Sequence, residues 1–167
     1  MKAVHINPFL DSTINLFENM LGVAPRVGQK TILQSMHTHR WDISGVIGVT
    51  GVAEGVVALR LTERIVEGLL DKSDVSTGDD SSRREIISSM VGEMTNIISG
   101  NALGQIREYD LDITVPFVVQ GKDHSISWPR NNPVIAIPFS CSLGHFEVDV
   151  SLKENYLHSI LGDAGLA

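Results

Sequence analysis

The sequence predicts an α+β domain: a mixed, largely antiparallel sheet carrying two long helices. Three observations point there. Residues 81–105, SSRREIISSMVGEMTNIISGNALGQ, keep a helical period over their whole length. Several segments rich in β-branched residues are joined by short glycine-bearing turns, as antiparallel strands are. No low-complexity stretch divides the chain, so residues 1–167 are expected to form one domain.

The first helix is expected to start at Asn7-Pro8, with Asn7 as N-cap and Pro8 in the first turn. It should stop near Gly22, with Ala24-Pro25 beyond. Phe9, Ile14, Phe17 and Leu21 give it an apolar face. Strand signals follow from Thr31 to Leu61, with a turn over Gly51–Gly55 and a moderately alternating lead-in at TILQSMHTHRW. Thr62 can cap a short helix ending near Leu70, and Lys72–Asp80 reads as a polar loop. Asp80, Ser81 or Ser82 can then cap the long helix, with Glu85 completing a capping box on Ser82. Beyond it, Leu111–Val119 and His124–Trp128 read as one hairpin, and Pro133–Cys141 and His145–Leu152 as another. Glu154–Leu161 fits a short last helix.

In the long helix, Ile87, Met90, Val91, Met94, Ile97, Ile98 and Ala102 form a face built for burial. Ser89, Glu93, Asn96 and Gly100 form a second stripe, within roughly 60° of one another and about 120° from the apolar face. The stripe holds an acid, a carboxamide, a hydroxyl and a glycine, with Gly92 and Gly104 beside it. Glycine inside a helix costs about 1 kcal/mol relative to alanine. Their grouping suggests a surface kept flat for something that approaches the backbone; the simpler alternative is a solvated helix face. Asp11, Asn15, Glu18 and Gly22 repeat the spacing in the first helix, with Glu and Asn exchanged. Each helix is later followed by a glycine-turned hairpin; one reading is a duplicated unit folded as two similar halves, the other a chance match of four positions.

A net charge of −7 argues against general nucleic-acid binding and against anionic membrane surfaces, and allows a basic patch on a protein partner. The single cysteine, Cys141, makes an internal disulfide impossible and a reducing cytoplasm the simple expectation. No run approaches the apolar length of a membrane span, and residues 1–13 lack the apolar core of a signal peptide.

With Ser89, three residues, Glu93, two residues and Asn96, the long helix resembles the signature of the CheC/CheX/FliY phosphatases, which act on the phosphorylated chemotaxis regulator CheY. INPFLDSTINLFENMLG is similar to the opening helix of CheX proteins, SGVIGVTGVAEGVVALRL to their first hairpin and IAIPFSCSLGHFEVDVSL to their last. The likeness covers nearly the whole chain and is closest to the CheX branch, with one signature helix per chain. It implies a pseudo-symmetric CheC/CheX-like fold, a homodimer joined through its sheets, and an aspartyl-phosphate phosphatase whose target is a CheY-like response regulator. Asn96 would orient the attacking water, Glu93 would pair with a basic group on the regulator, and Ser89, Gly92 and Gly100 would border the partner. No cofactor of its own is implied; Mg²⁺ would be held by the regulator. The family also carries a proline somewhat over twenty residues beyond the Asn. Pro116 stands slightly early for it, and that correspondence is left open.

The rival expectation is a non-catalytic module that docks on a regulator or a flagellar-switch component through the same stripe. The first helix is read as a degenerate copy, because Glu18 would set a carboxylate where the carboxamide belongs and repel a phosphoryl group. His37 and His39 share a strand face but lack an evident third ligand, so they read as surface histidines. Cys141 reads as a core residue, and Asp79-Asp80 as helix capping rather than a metal pair. Asn101 either bonds a neighbouring backbone or sits past the buried stretch.

Overall fold

The fold is a computed structural model, which describes residues 3–33, 41–73, 75–76, 78–106, 110–129 and 132–154. His37, His39 and nearly all of the expected last helix lie outside these residues. Among the described residues, three helices, α1 (Ala3–Leu21), α2 (Glu63–Ser73) and α3 (Asp80–Gln105), pack on one eight-stranded sheet. Its strands are β1 (Arg26–Val27), β2 (Thr31–Ile32), β3 (Ile43–Gly51), β4 (Ala53–Leu61), β5 (Leu111–Ile113), β6 (Phe117–Gln120), β7 (Ile135–Cys141) and β8 (Gly144–Glu154). The order is β1-β7-β8-β4-β3-β5, with β2 also on β7 and β6 also on β3, and every pairing is antiparallel. The α+β class and the two hairpins β3–β4 and β7–β8 stand as expected.

Strand alternation separates two faces. Ile43, Ile47, Val57, Leu59, Leu61, Phe146, Val148 and Val150 meet the helices in the main core. Phe17 of α1 stacks on Phe146 at 4.2 Å between ring centroids, and Phe139 stacks on Phe146 at 5.0 Å. The other face is also buried, and there Ser44, Arg60, Glu147, Asp149 and Ser151 stand among Val46, Ala58 and Ala136. There Arg60 bridges Asp149 at 3.1 Å and lies over the Trp41 ring. Burial, reinforced by the charge of Glu147, pushes the Asp149 carboxyl well above its usual 3.8, against the opposing pull of Arg60.

Several boundaries differ from the sequence reading. α1 begins at Ala3 and carries Pro8 inside it, although Pro8 can donate no helical hydrogen bond. The added turn brings in His5 and Ile6, both buried, and their burial offsets the loss. Asn7 is no cap; its Oδ1 accepts from Lys30 at 3.0 Å. The far end behaves as read: Gly22 takes φ +62°, and the Val23 N–H closes on the Phe17 carbonyl at 2.9 Å, a left-handed helix stop. The β3–β4 ladder ends at Val49↔Gly55, so the turn spans Thr50–Glu54, one residue earlier than Gly51–Gly55, while Gly51 and Ala53 pair outward with Leu111 of β5 and Glu154 of β8. α2 is capped from a distance, with the Asp42 carboxylate accepting from the Glu63 N–H at 2.8 Å. It also runs on through Ser73.

The N-cap of α3 is Asp79, not a residue from Asp80 to Ser82. Its carboxylate accepts from the Ser82 N–H at 2.9 Å, and that bond and the Ser82 hydroxyl lower its pKa. The expected hairpin between 111–119 and 124–128 does not form. β5 and β6 both pair with β3, and the chain leaves the sheet at Gly121 (φ +141°) and Asp123 (φ 61°). His124 then turns onto Ser44 Oγ at 2.7 Å and the Gly121 carbonyl at 2.7 Å. Those polar contacts replace the strand.

Candidate functional site on the long helix

The depth of α3 on the sheet is set at Gly45 of β3. A Cβ built there would stand 2.0 Å from Thr95 Oγ1 and 3.1 Å from Val91 Cγ1, so only glycine admits the helix this close. Thr95 is buried, and its hydroxyl donates back to the Val91 carbonyl at 2.7 Å. With Ile87, Val91, Met94, Ile98 and Ala102 also buried, the helix is fixed in rotation. The stripe is thereby turned outward: Ser89, Glu93 and Gly100 are exposed, and Asn96 is half-buried. Among the described residues, neither Glu93 nor Asn96 has a side-chain hydrogen bond or ion pair. Both side chains are therefore available to a partner.

The stripe is one wall of an open groove of about 510 Å³. Ser88, Ser89, Glu93 and Asn96 form the polar wall; Ile113, Val115 and Pro116 face them. The second wall comes from the edge of the sheet. Ile113 pairs with Val49 and Phe117 with Val46, so Thr114, Val115 and Pro116 span the two positions Ile47 and Gly48. The extra residue makes a β-bulge, and proline is tolerated there because it has no ladder donor to lose. Thr114 pins the bulge from both sides: its N–H donates to the Gly48 carbonyl and its Oγ1 accepts from the Gly48 N–H, each at 2.9 Å. Gln120 of β6 ties this edge to α3 by donating to Ser88 Oγ at 2.7 Å and to the Arg84 carbonyl at 2.8 Å.

The glycines differ in use. A Cβ at Gly100 would meet only Ile113 Cδ1, at 3.8 Å, so this part of the stripe is open. Gly92 lines the groove but is buried, and a Cβ there would touch Val118 and Pro116 at 3.7 and 3.9 Å. It seats the bulged edge against the helix rather than offering a bare surface. Gly104 is exposed with nothing near it. Pro116 and Asn96 line the same groove, and a proline inside an apolar strand pattern is the sequence signal of such a bulge.

The other candidates lie away from this groove. Asn15 and Glu18 are exposed on α1, and Gly22 is a helix stop where Gly100 is a helix interior, so the repeat fails at its fourth position. Cys141 is free and half-buried at the end of β7. Asn101 is exposed; among the described residues its side chain has no hydrogen bond, while its backbone carbonyl accepts from Gln105 Nε2 at 3.1 Å. A second cavity of about 420 Å³ lies near the start of α3, and two ion pairs line it. Arg83 bridges Glu67, and Lys122 bridges Glu63. Among the described residues, no group of three or more His, Cys, Asp or Glu side chains is placed to hold a metal ion, and no helix is long and apolar enough to cross a membrane.

A family model for the chemotaxis phosphatase CheX matches residues 43–140, more than half of the chain. The chemotaxis protein CheX from Desulfovibrio desulfuricans is 31% identical, with a TM-score of 0.77 over 89% of this chain and 99% of its own. A CheC-like superfamily protein from Shewanella sp. PV-4 is 28% identical, with a TM-score of 0.82 over 92% and 99%. A chain of the CheX–CheY–BeF3–Mg²⁺ complex from Borrelia burgdorferi is 25% identical, with a TM-score of 0.76 over 90% and 98%. No curated protein matches the chain.

Proposed function

The chain belongs to the chemotaxis phosphatase CheX family, and from that premise we propose how its groove works. The protein accelerates hydrolysis of the aspartyl phosphate of a CheY-like response regulator. The substrate is an acyl phosphate, already reactive, and its hydrolysis asks for an in-line water and for neutralised charge rather than a covalent intermediate. Asn96 supplies the carboxamide. Such a group donates and accepts hydrogen bonds at once and does not titrate, so it can hold a water with its lone pair aimed at phosphorus. Water oxygen bonds to phosphorus, the bond to the aspartyl oxygen breaks, and the leaving carboxylate stays on the regulator.

Glu93 stands one turn before Asn96 on the same face, with Cβ atoms about 5–6 Å apart in such a pair. It pairs with a basic group of the regulator beside the phosphorylation site, and so sets the depth to which Asn96 enters. Ser89 and Gly100 border the same approach. Mg²⁺ belongs to the regulator in this reading. We further read residues 1–167 as one cytoplasmic domain that pairs with a second copy through a sheet edge; light scattering on the purified protein decides the oligomeric state.

One observation carries the reading: a carboxylate and a carboxamide, unpaired among the described residues, stand together in one wall of a groove on α3. The test follows decay of the phosphorylated regulator with and without the protein. The decay rate rises with protein concentration and saturates; decay unchanged at saturating protein would leave only a binding module.

A further inference from the structure

The groove has two unlike walls. Opposite the polar stripe stand Ile113, Val115 and Pro116, and Val115, at the tip of the bulge, is 86% exposed. An apolar side chain is carried this far into solvent by an added residue that Thr114 holds in place on both sides. Bulges commonly re-aim a side chain next to a functional site. Phe117, two residues on, is also exposed, but it alternates with Val118, which faces Gly92 of α3, and so it lies on the other face of the edge.

We propose that Val115 is an apolar anchor for the regulator, and that the groove accepts a segment with a basic group on one side and an apolar side chain on the other. The basic group meets Glu93; the apolar one packs on Val115 and Pro116. This deepens the phosphatase reading and rests on it. A partner that brings a phosphoryl group to Asn96 must cover Val115, since both line the same groove. A standard interface of about 800 Å² per partner, centred on Asn96, has a radius of roughly 16 Å, far wider than the groove. Burying an exposed valine stabilises such a contact, and contacts near the interface centre weigh more than those at its rim.

The test uses the CheY-type regulators of the source genome, activated with beryllofluoride and Mg²⁺ for binding and phosphorylated for turnover. Val115→Asp and Val115→Ser raise Kd and KM about tenfold or more, with kcat at saturation and the melting temperature unchanged. Phe117→Ser leaves Kd unchanged. If wild type binds and hydrolyses but the Val115 variants bind equally well, the anchor is wrong and the phosphatase reading stands. If wild type neither binds nor hydrolyses any of them, both are wrong. If the Val115 variants lose kcat with Kd unchanged, Val115 positions the site and is no anchor. If they change the oligomeric state by light scattering, the bulge belongs to a contact between copies and the proposal fails.

Discussion

Gly45→Ala should damage this protein far from any partner contact. The added Cβ would stand 2.0 Å from Thr95 Oγ1 and 3.1 Å from both Thr95 Cβ and Val91 Cγ1. Carbon atoms pack best at about 3.5–4.0 Å, so α3 or β3 must yield by about 1 Å. Thr95 offers little escape, since it is β-branched, buried, and bonded to the Val91 carbonyl. Overpacking of this kind costs about 1–3 kcal/mol. At roughly 2–4 °C per kcal/mol for a domain of this size, the melting temperature falls by about 2–12 °C. The displaced helix also carries Glu93 and Asn96, and a misplacement of about 1 Å can cost up to ~100-fold in rate. Thermal denaturation and regulator dephosphorylation read the two effects. Thr95→Ala in the Gly45→Ala background removes the nearest atom and restores part of both, with a coupling of about 0.5 kcal/mol or more. A Gly45→Ala variant that melts and turns over like wild type would show that Gly45 does not set the depth of the helix.

Glu93→Lys replaces an attractive pair with a repulsive one and should weaken binding of the activated regulator about tenfold or more, read by titration; unchanged affinity would remove its docking role. Asn15→Ala and Glu18→Ala should leave turnover within about twofold of wild type, because the first-helix copy is exposed, reversed and ends in a helix stop; a large loss in the dephosphorylation assay would make it a second site. Asp149 gives a pH signature. Its folded pKa is raised above 3.8, so the folded chain binds more protons than the unfolded one above that value, and this contribution to stability is lost as pH rises towards the folded pKa. In urea titrations across that window, Asp149→Asn should flatten the fall in stability; an unchanged slope would mean the carboxyl is ionised as it folds.

What was legible beforehand was local. The stripe on α3 follows from helical period alone, and Glu93 and Asn96 share a groove wall as that period requires. The β3–β4 and β7–β8 hairpins were carried by β-branched runs with glycine turns between them. What was not legible depends on contacts distant in sequence. The bulge at Val115–Pro116 exists only relative to Ile47 and Gly48, and Gly45 matters only because Thr95 lies over it. The strand expected at 124–128 lost to the contacts of His124 with Ser44 and Gly121. Asp79 outcompeted its neighbours as cap, a choice among adjacent capping residues that composition does not rank. Pro8 sits inside α1 because buried His5 and Ile6 extend the helix backwards.

The central claim is that Asn96 acts on the reaction and not on the encounter. The direct measurement pairs two numbers for Asn96→Ala: affinity for the beryllofluoride-activated regulator, and turnover of the phosphorylated regulator at saturation. Affinity should stay within about threefold of wild type while turnover falls by roughly 100-fold or more, the loss expected when an oriented water is set free. A variant that still turns over at the wild-type rate, or that loses turnover only as far as it loses binding, would contradict the account.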